Sequence, residues 1–128
     1  MIAEGLLCLA MNIYYESRSE PLIDQVATAA VTMNRVGDKD FSNSICGVVY
    51  QSNQFEWTKN HHKKLKESDI TNKIDLKSFI QAKVIAKLYL EGLLKNPIGS
   101  RKYFSRGIGF KTKNKPIKLT RKSKHIYY

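Results

Sequence analysis

An α+β fold, mostly helical and organised as a single domain with a small irregular β portion near the C-terminus, is predicted by three observations. Apolar residues recur at helical spacing in three stretches, the pattern changes to short aromatic and β-branched pieces after Pro97, and 128 residues is the length of one ordinary domain. A chain of that size builds a core without disulfides or metals. No repeat, low-complexity tract or inter-domain linker interrupts it.

The first helix is expected over Ile2 to Glu16, where Leu6, Leu7, Leu9, Ala10, Ile13 and Tyr14 mark a buried face. Ser19 reads as the N-cap of a second helix from Pro21 to Val36, with Glu20 as a first-turn carboxylate facing the helix dipole. In that helix Val26, Ala27, Ala30, Val31 and Asn34 form a small-residue stripe that permits close packing, and Gly37 stops it. A loop and a short apolar segment, Ile45 to Tyr50, follow. Gln51 to Trp57 is polar with two aromatics, a composition suited to a cleft, and Lys59 to Lys73 is a basic connection. Asp75 is the expected N-cap of the longest helix, Leu76 to Leu94, which Asn96-Pro97 ends. Beyond it Lys102-Tyr103-Phe104, Ile117-Lys118-Leu119 and His125 to Tyr128, separated by Gly107, Gly109 and Pro116, suggest a hairpin or small sheet.

The chemistry-bearing stretch is Tyr14-Tyr15-Glu16-Ser17-Arg18-Ser19-Glu20-Pro21. From Ile2 to Tyr15 the only charged side chain is Glu4, so Glu16 follows directly on apolar and aromatic surface. Desolvation there would raise its pKa toward the value a general acid needs near neutrality. On pattern alone the plainer alternative, an exposed acid at a helix end, stands ahead of it.

The net charge is +11, and from Lys77 to Tyr128 the only acid is Glu91. The C-terminal half should therefore attract polyanions, whether nucleic acid, an anionic membrane or a wall polymer. Cys8 falls on the apolar face of the first helix and is expected to be a reduced, buried thiol; Cys8 and Cys46 have no metal-ligand spacing. With no basic region before the first apolar run, and Asn12 and Glu16 within it, neither a signal peptide nor a membrane span is expected, so synthesis should be cytoplasmic.

The order Ala10, Tyr15 to Pro21, Gln25-Val26-Ala27, Ala30-Val31 and Asn34-Arg35-Val36 resembles the spore-cortex-lytic, SleB/CwlJ-like family of cell wall hydrolases. That family carries a Glu-Ala-Arg-Gly-Glu-Pro signature followed by a helix reading Gln-Val-Ala and ending Asn-Arg-Val. The similarity continues through Ser44-Ile45, Val48 to Gln51, Gln54-Phe55, Asn96-Pro97, Tyr103-Phe104 and His125-Ile126-Tyr127, nearly the whole chain in order. The resemblance implies a lysozyme-like, lytic-transglycosylase-like domain that cuts the bond between N-acetylmuramic acid and N-acetylglucosamine, with Glu16 as catalytic acid and no cofactor or metal. This implication displaces the plainer reading of Glu16. One carboxyl suffices for a 1,6-anhydro product, whereas water attack usually requires a second, for which Glu20, Asp24 and Glu56 are available; a structural role ranks first for Glu20. Ser17 and Ser19 stand where the family has Ala and Gly, and Ser19 would carry strain if that position has a positive φ.

Tyr15, Gln54, Phe55, Tyr103 and His125 are the candidate substrate contacts, the last two by family position. For Phe55 and Trp57 a core role competes, and for His125 a structural hydrogen bond is the commoner use. His61-His62 lack partner ligands for a metal, and Arg18 has a nearby carboxylate as its expected partner. The partners expected are glycan strands and anionic wall polymers, met by a monomer without membrane insertion and without a specific nucleic acid. A compact catalytic unit of this kind looks like a phage endolysin or virion-associated lysin, reaching the wall after release or as a virion component. Two alternatives remain beside the enzyme: a basic nucleic-acid-binding module, motivated by the charge and by the aromatics near Tyr103 and Tyr127, and an inactive wall-binding homologue.

Overall fold

The computed structural model describes residues 4–61, 65–107 and 112–128. Helix α1 (Glu4–Ser17) begins with an acid in its first turn and runs through the middle of the fold, packed against the three other helices. Ile2, where this helix is expected to start, lies outside the described residues, as do His62 and Gly109. Leu9, Met11, Ile13 and Tyr14 meet Phe79, Ala82 and Ile85 of the longest helix in the larger apolar core.

Helix α2 (Leu22–Arg35) is capped by Pro21, with no side-chain cap, so the reading of Ser19 as N-cap is corrected. Pro21 carries no N–H and holds its φ at −51°, which suits the residue before the first turn. Glu20 consequently lies outside the helix and turns inward instead of facing the dipole. Gly37 stops the helix as expected, at φ 78°, a backbone conformation open to glycine at little cost. Among the described residues, Asn53 is the one non-glycine with a positive φ, so Ser19 carries no such strain.

The apolar segment after the loop is a single-turn helix, α3 (Ile45–Val49), whose N-cap Ser44 accepts from the Gly47 N–H. A Cβ on Gly47 would fall 2.0 Å from the Ser42 hydroxyl, so this position admits no side chain without displacement. Packing of α3 on α1 brings the Cys46 and Cys8 Cα atoms to 5.3 Å, and the two form a disulfide. The expectation of a reduced thiol is thereby corrected; partners 38 residues apart become neighbours only through helix packing. The connection that follows contains 3-10 turns at Glu56–Lys59 and Glu67–Asp69.

Helix α4 (Lys73–Leu90) starts three residues earlier than expected, because Asn72 rather than Asp75 accepts the free N–H groups, those of Ile74 and Asp75. It also ends earlier, at Gly92 with φ 78°, where the Leu93 N–H bonds back to Leu88. The C-terminal portion forms strands β1 (Phe104–Ser105) and β2 (Ile126–Tyr127), antiparallel with Phe104 opposite Tyr127, and Ile117 bridges Tyr127 from its other side. Tyr127 and Ile98 close a second core against Ala27, Ala30 and Val31, so the small-residue stripe of α2 is what lets the C-terminal strand approach.

Candidate active site

Glu16 occupies the last turn of α1, half-buried rather than the exposed helix-end acid that pattern alone placed first. Burial raises its pKa from the usual carboxylate range to about 7; the guanidinium groups of Arg35 and Arg106 oppose the shift and Glu56 adds to it. Such a carboxyl is partly protonated at neutral pH and can both give and take a proton.

Its footing is a polar seam between α1 and α2. Ser17 donates to the Ile13 carbonyl (2.9 Å) and accepts from Thr28 (3.0 Å), and Asn12 donates to Thr32 (2.9 Å) while accepting from the Trp57 indole (2.9 Å). These buried groups satisfy one another and fix the rotation of α1, hence the direction in which Glu16 projects.

Arg35, in the last turn of α2, joins most of the expected contacts. Its Nε donates to the Lys102 carbonyl (2.8 Å), its Nη1 to Gln54 Oε1 (3.3 Å), and its guanidinium lies over the rings of Phe41, Phe55 and Tyr103 at 5.1, 4.9 and 5.5 Å. Tyr15 sits between Trp57 and His61 in a stack at 4.6 and 4.7 Å, with Tyr50 edge-on to Trp57. Gln54, Tyr15 and Tyr103 are half-buried and border this region.

Two expected contacts are buried. Phe55 is 3 % exposed and His125 4 %, so neither presents a surface to a glycan here. Phe55 is drawn inward beneath Arg35, the core role that competed for it. His125 packs edge-on against Phe104 and lies 3.8 Å from Glu20, and burial lowers its pKa, which favours the neutral ring. Glu20 accepts the Lys124 N–H (3.1 Å), while its other oxygen and His125 Nδ1 are buried and have no hydrogen-bond partner among the described residues. Asp24, fully buried, accepts from the hydroxyls of Ser123 and Tyr127, each at 2.6 Å. Burial and that carboxylate push the Tyr127 hydroxyl's pKa up, so it remains a donor. Glu20 and Asp24 therefore tie the C-terminal segment to the start of α2, and Glu56 is exposed and paired with Lys59. Arg18 lies over Tyr14 and 3.8 Å from Asp75, the expected kind of partner. Among the described residues, no three His, Cys, Asp or Glu side chains converge as metal ligands.

Residues 19–128 match the model of the family described as Cell Wall Hydrolase. The chain belongs to that family. The match begins just after Glu16, so the standing of this residue rests on its geometry and on the sequence signature. Similar relatives are spore cortex-lytic enzymes of Bacillus cereus (45 % identical over 47 residues, 37 % of this chain) and Bacillus subtilis (46 % over 43 residues, 34 % of this chain). The matched segments span only 18 % and 14 % of those relatives' lengths. Two solved structures are similar over nearly the whole chain. The catalytic domain of the Bacillus cereus SleB protein is 25 % identical with a TM-score of 0.60, covering 99 % of this chain and 91 % of its own. The catalytic domain of a germination-specific lytic transglycosylase, SleB from Bacillus anthracis, is 25 % identical with a TM-score of 0.61, covering 98 % and 95 %. The family resemblance read from the sequence and the lysozyme-like, mostly helical α+β fold expected with it are both correct.

The residues missed by sequence reasoning are Arg35 and Asn12. Arg35 stands four residues beyond Val31 and eight beyond Ala27, on the buried stripe of α2, and Asn12 stands within the buried run of α1. A polar or charged side chain in phase with a buried stripe is the signal that marks both.

Proposed function

We propose that this chain cleaves the glycan strands of peptidoglycan between N-acetylmuramic acid and N-acetylglucosamine, as a lytic transglycosylase with Glu16 as its single acid and base. The observation that carries this reading is a half-buried carboxyl whose pKa stands at about 7, in a fold similar to that of SleB catalytic domains. Protonated Glu16 gives its proton to the glycosidic oxygen as the bond from that oxygen to the muramic C1 breaks, the bonding pair leaving with the oxygen. The resulting carboxylate then takes the proton of the muramic 6-hydroxyl while that oxygen bonds to C1. A 1,6-anhydro end results, no water is consumed, and Glu16 is protonated again.

The carboxylates offered for a hydrolytic role fit it poorly. Glu20 and Asp24 are committed to the C-terminal segment, and Glu56 is exposed and paired with Lys59. In this reading Gln54 meets sugar hydroxyls and Tyr103 and Tyr15 meet sugar faces; their half-buried positions, with Gln54 and Tyr103 gathered on Arg35, support it. We further propose that residues 1–128 work as one catalytic domain, monomeric, held to the wall by the positive charge of the C-terminal half. Work on the cell wall, after release or in a virion, suits the Cys8–Cys46 disulfide, since such bonds persist outside reducing compartments.

Mass spectrometry of the soluble products from purified peptidoglycan, with the parent chain and Glu16→Gln, tests the reading. Anhydro-muropeptides from the parent and none from the variant are expected. Hydrated reducing ends would move the mechanism to hydrolysis and require a second carboxylate, and equal release from both chains would remove Glu16 from the chemistry.

A further inference from the structure

A cavity of about 260 Å³ borders the 3-10 turn at Glu56–Lys59 and takes no part in the chemistry described so far. It is lined by Tyr50, Ser52, Asn53, Thr58 and Lys59. Its walls are fixed from several sides. Tyr50 ends α3, which the disulfide ties to α1, and stands edge-on to Trp57. The Gln54 N–H bonds back to the Gln51 carbonyl (3.2 Å), closing a turn with Ser52 and Asn53 at its corners, and the Gln51 side chain donates to the Asp40 carbonyl (3.2 Å). Asn53 holds this turn at φ 64°, a left-handed conformation that asparagine tolerates better than most side chains do. The Thr58 hydroxyl donates to the Phe55 carbonyl (2.7 Å). By contrast, the Tyr50 hydroxyl, the Ser52 hydroxyl and the Asn53 side-chain amide form no hydrogen bond with any other described residue. We propose that this cavity binds the carboxylate of the peptide branch that muramic acid carries, with Lys59 as its cation and Tyr50, Ser52 and Asn53 as its hydrogen-bond donors. The inference rests on the reading of peptidoglycan strands as the substrate cut at Glu16.

The chemistry of the lining selects the ligand. Two hydroxyls, an amide and an ammonium all donate at once, and among the described residues no carboxylate lines the cavity. A group that only accepts and carries negative charge satisfies such a set, whereas a sugar hydroxyl leaves the ammonium uncompensated. Lys59 is held at present by Glu56 at 3.4 Å, with both side chains well exposed, a contact of little strength that a carboxylate seated among three further donors displaces. The placement suits a branch of the same substrate. Rings lead from Tyr15, the neighbour of Glu16, to Trp57 at 4.6 Å and from Trp57 to Tyr50 at 5.7 Å, so the cavity stands at the far end of a path that begins beside the acid. The turn that offers Ser52 and Asn53 to the cavity offers Gln54 to Arg35 on its other side. A strand that runs past Gln54 and Tyr15 and sends its peptide into the cavity uses both sides of that turn, which an unbranched polysaccharide does not.

The test titrates the full chain, as Glu16→Gln so that no strand is cut, with N-acetylmuramyl dipeptide and separately with chitotriose, and follows the backbone amide resonances by NMR. The first compound carries a carboxylate on its peptide and the second carries none. Saturable shifts at Ser52, Asn53, Thr58 and Lys59 are expected with the muramyl dipeptide alone. Lys59→Gln should weaken this binding by about threefold or more, Lys59→Arg should restore most of it, and Lys95→Gln, an equal loss of charge outside the cavity, should leave it as it was. Asn53→Gly keeps the left-handed turn, removes the amide and should weaken binding too. With Glu16 intact, the advantage in KM of peptide-bearing over peptide-stripped glycan strands should shrink by about threefold in Lys59→Gln and return in Lys59→Arg. An absence of shifts at the cavity, equal shifts with chitotriose, or a Lys59→Gln chain that binds like the parent overturns the proposal. Binding in the cavity by a chain that cleaves no glycan would instead keep the peptide site and remove the transglycosylase reading.

Discussion

Glu16 is a residue at which stability and chemistry pull apart. Its carboxyl has a pKa of about 7 when folded against an ordinary value of 4.5, so the folded state binds the extra proton. The stability this group contributes is therefore complete below about pH 4.5 and lost as the pH rises through 7. A shift of that size corresponds to at most about 3 kcal/mol, less after the discount for its partial contact with water. Glu16→Gln should consequently be the more stable chain at pH 8 and indistinguishable from the parent at pH 4. Thermal unfolding at the two pH values checks this, and equal unfolding temperatures at pH 8 would show that the carboxylate is not desolvated. The apolar run alone left an exposed Glu16 ahead of a buried one, and it was the family signature that singled this acid out. The burial of His125 and Phe55 was not legible, because matching a motif position says nothing about whether a ring points into a cleft or away from it.

At the scale of elements, the joint between α1 and α3 depends on two contacts that no local pattern announces. One is the close approach of Gly5 to Ile45, where a Cβ would fall 3.2 Å from the isoleucine Cδ1, and the other is the disulfide between Cys8 and Cys46. Closing a loop of 38 residues in the unfolded chain should be worth about 3 to 4 kcal/mol of stability. Reduction, or the double substitution Cys8→Ala and Cys46→Ala, is expected to lower the unfolding free energy by that order. Denaturant titration with and without reductant measures it, and coincident curves would mean that α3 is held without the bond. The helix boundaries teach a related lesson. Asn72 and Asp75 are both competent caps three residues apart, and only the packing of Phe79, Ala82 and Ile85 against α1 settles which turn comes first. Gly92 ends α4 although Leu93 and Leu94 continue its apolar pattern, because a glycine in the left-handed region breaks the helix whatever follows.

Across the whole molecule, charge is the property most plainly written in the sequence and least specific in what it implies. With +11 overall, binding to anionic wall polymers should weaken by about tenfold or more between low and high salt. Co-sedimentation with purified walls across a salt series reads this directly. Binding that ignores salt would mean that shape rather than charge holds the chain, and equal, salt-sensitive binding to duplex DNA would favour the nucleic-acid alternative. Glu16→Gln should bind walls as the parent does. The sequence by itself determined the helical repeats, the acid that closes α1, the basic C-terminal half and the family signature, because each is a local pattern or a sum over residues. Tertiary structure alone decided that Cys8 meets Cys46, that Asp24 anchors Tyr127, that Glu20 leaves its helix, and that Arg35 reaches Lys102 and Gln54. Those pairings join residues 19 to 103 positions apart. Periodicity reports which way a side chain faces on its own element, and it carries no information about which distant element will be packed against that face.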